Sequence, residues 1–121
     1  SNGSSITLYV YDKQLDKTSD CVICDEMAFA KYDNNFTLDI LNSIPKVIII
    51  TTPYKNKGIV YDIWTAAQNN QNNWKSYAIQ WKDAYLRDIC SDAWKQEVID
   101  AIGIKRWKNE FECEFYNEDD K

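Results

Sequence analysis

The chain has 121 residues, enough for one small domain or part of a larger one. At 45% hydrophobic and 14% aromatic it can bury a core, and three Gly and two Pro exclude a low-complexity or collagen-like polymer. A formal net charge of -5 argues against a surface built mainly to grip nucleic acid, since basic side chains that neutralise phosphate supply most of that affinity; an accessory role stays open.

No apolar run is long enough to span a bilayer, and the polar, uncharged start does not resemble a signal peptide. The expectation is a soluble, non-secreted protein with no membrane partner. Cys21, Cys24, Cys90 and Cys113 are even in number, but their spacing suggests no disulfide framework, so reduced thiols are expected. Glu118, Asp119 and Asp120 read as a solvated acidic end.

Residues 6–11 (ITLYVY) are β-branched and aromatic, which predicts a strand. A polar connection follows through residue 20. Residues 21–24 (CVIC) are a short apolar run of the kind that suits a strand buried on both faces, and Asp25-Glu26 ends it. Residues 27–35 look irregular. Apolar positions at 36, 40, 41 and 44 predict a short helix over 36–43, with Pro45 just beyond its end.

Residues 46–50 (KVIII) give the strongest strand signal, stopping at Thr51-Thr52-Pro53. A loop at 54–58 leads to apolar positions 59, 60, 63, 64 and 67, the spacing of one helix face. Residues 68–73 (QNNQNN) form a polar linker. Alternation over 74–81 predicts a strand, and residues 82–90 a loop. Ser91 is an N-cap candidate for a helix through Ile102, with Gly103 at its C-terminal end. Residues 104–110 allow one or two more helical turns, and the strict alternation of 111–116 (FECEFY) predicts a last strand. No internal repeat or domain boundary is visible. Mixed elements with short apolar strands imply an α/β layered fold, like the later part of a doubly wound sheet.

In open α/β sheets ligands bind at the carboxyl ends of strands. If strands 21–24 and 46–50 are parallel, Asp25-Glu26 and Thr51-Thr52 emerge at one edge. Four apolar residues followed by Asp-Glu make the Walker B pattern. A carboxylate on a rigid strand end suits nucleotide-bound Mg²⁺, a hard cation that keeps several waters, and a second carboxylate can position or deprotonate an attacking water. Taken alone, the tetrapeptide reads as a solvated strand end.

The wider order of residues adds to it. Residues 2–6, then Val22 to Phe29 around Asp25-Glu26, then residues 46–53 (KVIIITTP), then residues 61–67, and last Trp107, Glu110, Cys113, Glu114 and Phe115 stand in sequence. In that order they resemble the large terminase subunit of tailed bacteriophages and related viruses, nearly end to end. The resemblance implies part of a P-loop NTPase-like layered fold with a mainly parallel sheet and flanking helices, running from Walker B to the end of the ATPase core. It implies Asp25 as the Mg²⁺-supporting carboxylate and Glu26 as the catalytic one. Thr51 and Thr52 would be the coupling motif that senses the nucleotide's γ-phosphate. It also implies ATP and Mg²⁺ as cofactors. The implied partners are the remainder of the large subunit, the portal, the small terminase subunit and double-stranded DNA, at a viral assembly site in the host cytoplasm.

The departures are equally concrete. No G-x-x-x-x-G-K-[ST] occurs, so the chain holds no phosphate cradle, and the family's nuclease acids are absent as well. The expectation is one piece of a larger or split motor, not an ATPase by itself. Two other readings stay open: a helicase-like translocase segment, and a non-catalytic interaction module built on the same scaffold. The C-x-x-C pair Cys21/Cys24 could be a zinc half-site or redox pair, but with no second pair and no His the reading is buried apolar thiols. The tryptophans read as core residues before a base-stacking platform. Lys55 and Lys57 read as a solvated loop before a phosphate or DNA contact, and the basic run Lys105, Arg106 and Lys108 as an exposed helix face.

Overall fold

The computed structural model describes residues 3–8, 18–30, 37–83 and 90–117. Strand β1 spans Val22–Asp25, a 3-10 turn Met27–Phe29, helix α1 Leu38–Asn42, and strand β2 Val47–Ile50. Helix α2 spans Ile59–Gln68, α3 Asp92–Ile102 and α4 Ile104–Glu112. The chain divides into two compact units, Ser1–Ile50 and Thr51–Lys121.

In the first unit β1 and β2 pair in parallel, with Val22 opposite Val47 and Asp25 opposite Ile50. Parallel neighbours need a crossover, and α1 lies on the connection that supplies it. Thr37 caps α1, its hydroxyl accepting from the Ile40 N–H at 3.3 Å. Cys24, Met27, Leu41 and Ile44 are the buried apolar residues here. Partners in register share a face of a pleated sheet. Val22, Cys24, Val47 and Ile49 make the more buried face; Ile23, Asp25, Ile48 and Ile50 make an exposed one. The fold is thus mixed α/β with a two-stranded parallel sheet and helices.

The second unit is helical. Gly58 starts α2 with φ 94°, a backbone angle that a side chain would strain, and Val60 and Ile63 are the buried positions of the face expected from the sequence. The Ser91 hydroxyl accepts from the Trp94 N–H at 3.2 Å, which confirms that N-cap. Gly103, with φ 83°, ends α3 and starts α4: its N–H donates to Ile99 O at 2.7 Å, and its carbonyl accepts from Trp107 at 3.0 Å. A Cβ at Gly103 would meet nothing within 4 Å, so the torsion, not space, selects glycine.

Trp107 is fully buried at the centre of an aromatic cluster. Phe111 stacks on it at 4.5 Å between centroids, and Trp81 and Trp94 meet it edge-on at 5.4 and 5.8 Å. Phe115 meets Tyr61 of α2 edge-on at 5.1 Å and lies 6.5 Å from Trp64. The tryptophans on helix faces are therefore packing groups, as their spacing implies.

Two expected strands are corrected. Residues 111–116 are not a strand: Phe111 and Glu112 complete α4, and only Tyr116 forms an isolated bridge, to Lys55. The strict alternation misleads because Phe111 also stands four residues from Trp107, and stacking on that buried ring favours the helical spacing. Residues 74–81 run without strand pairing among the described residues. They are clipped at both ends instead. Ser76 accepts from Gln68 at 2.7 Å, Trp81 N–H donates to Phe111 O at 2.9 Å, and Gln80 donates to Glu112 O at 2.8 Å. Residues 6–8 of the first expected strand are exposed and unpaired in any ladder; the rest of it lies outside the described residues, as does Phe36.

Candidate functional site

Asp25 is the last residue of β1, directly opposite Ile50, the last residue of β2. The next N–H, that of Glu26, donates to the Ile50 carbonyl at 2.8 Å, so the ladder closes one residue beyond the strand. Glu26 then leaves the sheet with φ 53° and ψ 34°, the left-handed region. That conformation costs a side-chain-bearing residue about 1–2 kcal/mol, and such strain gathers at functional turns. It persists because the turn is held on both sides: Glu26 N–H donates to Ile50 O before it, and after it Phe29 N–H donates to Glu26 O at 3.1 Å and Met27 is fully buried. Both carboxylates are exposed. Among the described residues neither accepts a hydrogen bond or joins an ion pair.

After Ile50 the chain continues into Thr51 and Thr52, half-buried residues of the second unit. The Thr51 hydroxyl donates to Thr52 O at 3.0 Å, and the Thr52 hydroxyl donates to Glu110 Oε2 at 3.5 Å. The parallel register therefore accounts for Asp25, Glu26 and the end of β2, whereas both threonine hydroxyls are engaged within their own unit.

Cys24 is buried and Cys21 exposed, so the C-x-x-C pair does not converge, and all four cysteines are free thiols. Burial pushes the Cys24 thiol above its ordinary range, which leaves it a packing group, not a nucleophile. Among the described residues no three His, Cys, Asp or Glu side chains gather as metal ligands.

A second polar centre escaped sequence reasoning. Glu112 Oε1 accepts from the Trp107 indole N–H at 2.9 Å and from Lys95 Nζ at 3.2 Å. The Trp107 bond pulls the Glu112 carboxyl below its usual range, against partial burial, and the Lys95 ammonium adds to that pull. Lys95 also lies over Trp81 and Trp107, 5.0 and 5.4 Å from their centroids. The sequence hides it, because Glu112 falls in the alternating stretch 111–116 that reads as a strand, and only the structure places it on α4. Lys55 and Lys105 lie over Tyr54 and Tyr116, and Arg106 and Lys108 pair with Glu110 and Glu114.

Compared with protein-family models, curated proteins and solved structures, the chain matches none. Among the described residues no helix is long and apolar enough to cross a membrane.

Proposed function

We propose that the chain contributes the metal-and-water side of an ATP-hydrolysing motor of the terminase large-subunit kind, on part of a P-loop NTPase-like fold. The observation that carries the reading is the parallel pair β1/β2, with Asp25 opposite Ile50 and the exposed acids Asp25-Glu26 at its carboxyl end. Nucleotide-bound Mg²⁺ takes one or two protein carboxylates and draws its other ligands from phosphate and water, so two free carboxylates fit it without a three-ligand cluster.

Asp25, at a strand end fixed by the ladder, would be the carboxylate that supports the metal. Glu26, next in the chain and in a strained turn, would orient or deprotonate the attacking water. The bound metal supplies charge neutralisation at the transferring phosphate. Thr51 and Thr52, next along the chain from β2, respond to the γ-phosphate state. Partners in this reading are a phosphate-binding segment supplied from outside these 121 residues, the remaining motor parts, and double-stranded DNA held by the assembly. The host cytoplasm is its compartment.

Calorimetric titration of Mg-ATP tests the reading. The isolated chain should release no binding heat, and heat should appear once a phosphate-binding segment is joined to it. Binding by the isolated chain that disappears in Asp25→Asn would place the phosphate site within these residues and overturn the division of labour.

A further inference from the structure

Asn109 is the one buried polar residue among those described, 7% exposed, and it sits in the middle of α4. A buried carboxamide is costly unless its hydrogen bonds are made. Its Nδ2 donates to Pro53 O at 2.5 Å and to Glu114 O at 2.9 Å. Neither acceptor belongs to α4. Asn109 therefore does not stabilise its own helix; it fastens the helix to the turn that follows β2 and to the chain that follows α4. The next residue, Glu110, accepts from the Thr52 hydroxyl through one oxygen and lies 3.7 Å from the Arg106 guanidinium through the other.

Two consecutive residues of one helix thus grip Thr52 and Pro53. The grip continues along the chain. Tyr116 N–H donates to Tyr54 O at 3.2 Å, Asn56 N–H donates to Tyr116 O at 3.0 Å, and the Asn56 and Asn117 side chains are bonded. Residues 52–56 are held by 109–117 along their length.

We infer that Asn109 and Glu110 are positioning residues for the Thr51-Thr52-Pro53 turn, and that α4 is the element to which any displacement of that turn is delivered. The functional part rests on the reading of Thr51 and Thr52 as nucleotide-responsive; the positional part does not need it. A hydroxyl that turns from Glu110 toward a phosphate frees the carboxylate and its Arg106 partner. The buried Asn109 bonds make the turn and α4 move together, because separating them leaves a buried amide unpaired. Coupling of this kind is reciprocal, so altering the turn must alter the helix.

The test needs no nucleotide. In the 121-residue chain, nuclear magnetic resonance follows the Thr51 and Thr52 methyl groups, the Asn56 amide, the α4 amides and the Trp107 indole N–H. Asn109→Asp removes the donor. It should shift both threonine methyls and speed Asn56 amide exchange about tenfold, with α2 amides and the Trp107 indole unmoved. Glu110→Ala should shift the Thr52 methyl, and Glu110→Gln, which keeps an acceptor oxygen, should restore it. Thr52→Val should in turn shift the α4 amides near Glu110. If Asn109→Asp prevents folding, the Glu110 pair and Thr52→Val decide. Thr52 signals indifferent to Glu110→Ala, or changes spread equally over α2 and α4, would reduce the contact to ordinary packing and overturn the inference. Failure of the chain joined to a phosphate-binding segment to bind Mg-ATP would sink the proposed function and leave these results standing.

Discussion

The two carboxylates after β1 and the aromatic helices of the second unit are built on opposite plans. Asp25 and Glu26 are exposed and without described partners, and Glu26 occupies a torsion that a side chain disfavours. Around Trp107 nearly every polar atom has a match: the indole with Glu112, Glu112 with Lys95, Lys95 with two ring faces. Stability argues for the second arrangement and against the first. In the proposed reading the acid pair, and not the better-connected Glu112, is the chemical centre, because its exposed carboxylates keep their hydrogen-bonding capacity for a ligand.

Substitutions in the two regions should therefore differ in kind. Trp107→Ala removes a fully buried ring that three other aromatics contact, and a hydrogen-bond donor to Glu112, so it should cost about 3–5 kcal/mol in denaturant unfolding. Leu41→Ala, buried in the core of the first unit, should cost about 2–4 kcal/mol. A cost for Trp107→Ala no larger than that for Leu41→Ala would break the contrast. Ser91→Ala should cost about 1 kcal/mol, seen as faster amide exchange confined to the first turn of α3.

Glu112 gives a smaller, pH-dependent effect. Its carboxyl titrates below the ordinary range in the folded state, so its contribution is fully present above about pH 4.3, the unfolded value, and is lost as pH falls through the folded one. For a partly exposed pair that contribution stays under about 1 kcal/mol. It should vanish from the stability–pH profile of Glu112→Gln. The smallest effect should have the opposite sign. Glu26→Gly relieves the left-handed torsion and should stabilise the fold by about 0.5 kcal/mol while removing the proposed catalytic group. A clear loss of stability in Glu26→Gly would mean that the side chain at this turn is structural.

The same contrast governs what the sequence discloses. The strands β1 and β2 are legible because CVIC and VIII are short unbroken apolar runs ended by polar residues, whereas their parallel pairing and register come from the structure. The helices at α2 and α3 are legible from one apolar face and from the Ser91 cap. Residues 74–81 and 111–116 are not legible, because alternation describes a strand and equally an extended or helical segment whose rings pack on a neighbour. Phe111 and Trp81 both do that against Trp107. At the site, Asp25 and Glu26 stand out as acids after an apolar run, and Thr51 and Thr52 as hydroxyls after another. Asn109 does not, since nothing local distinguishes a buried asparagine that meets Pro53, 56 residues away, from an exposed one.

The central claim is that Asp25 and Glu26 divide metal support and water activation between them. Its most direct test is steady-state ATP hydrolysis, with nucleotide affinity measured alongside, by the chain joined to its phosphate-binding segment as wild type, Asp25→Asn and Glu26→Gln. The account predicts that Glu26→Gln loses hydrolysis by about 10²–10⁴-fold and keeps its affinity for Mg-ATP, while Asp25→Asn loses Mg²⁺-dependent affinity as well. Turnover in Glu26→Gln within a few fold of wild type would contradict it.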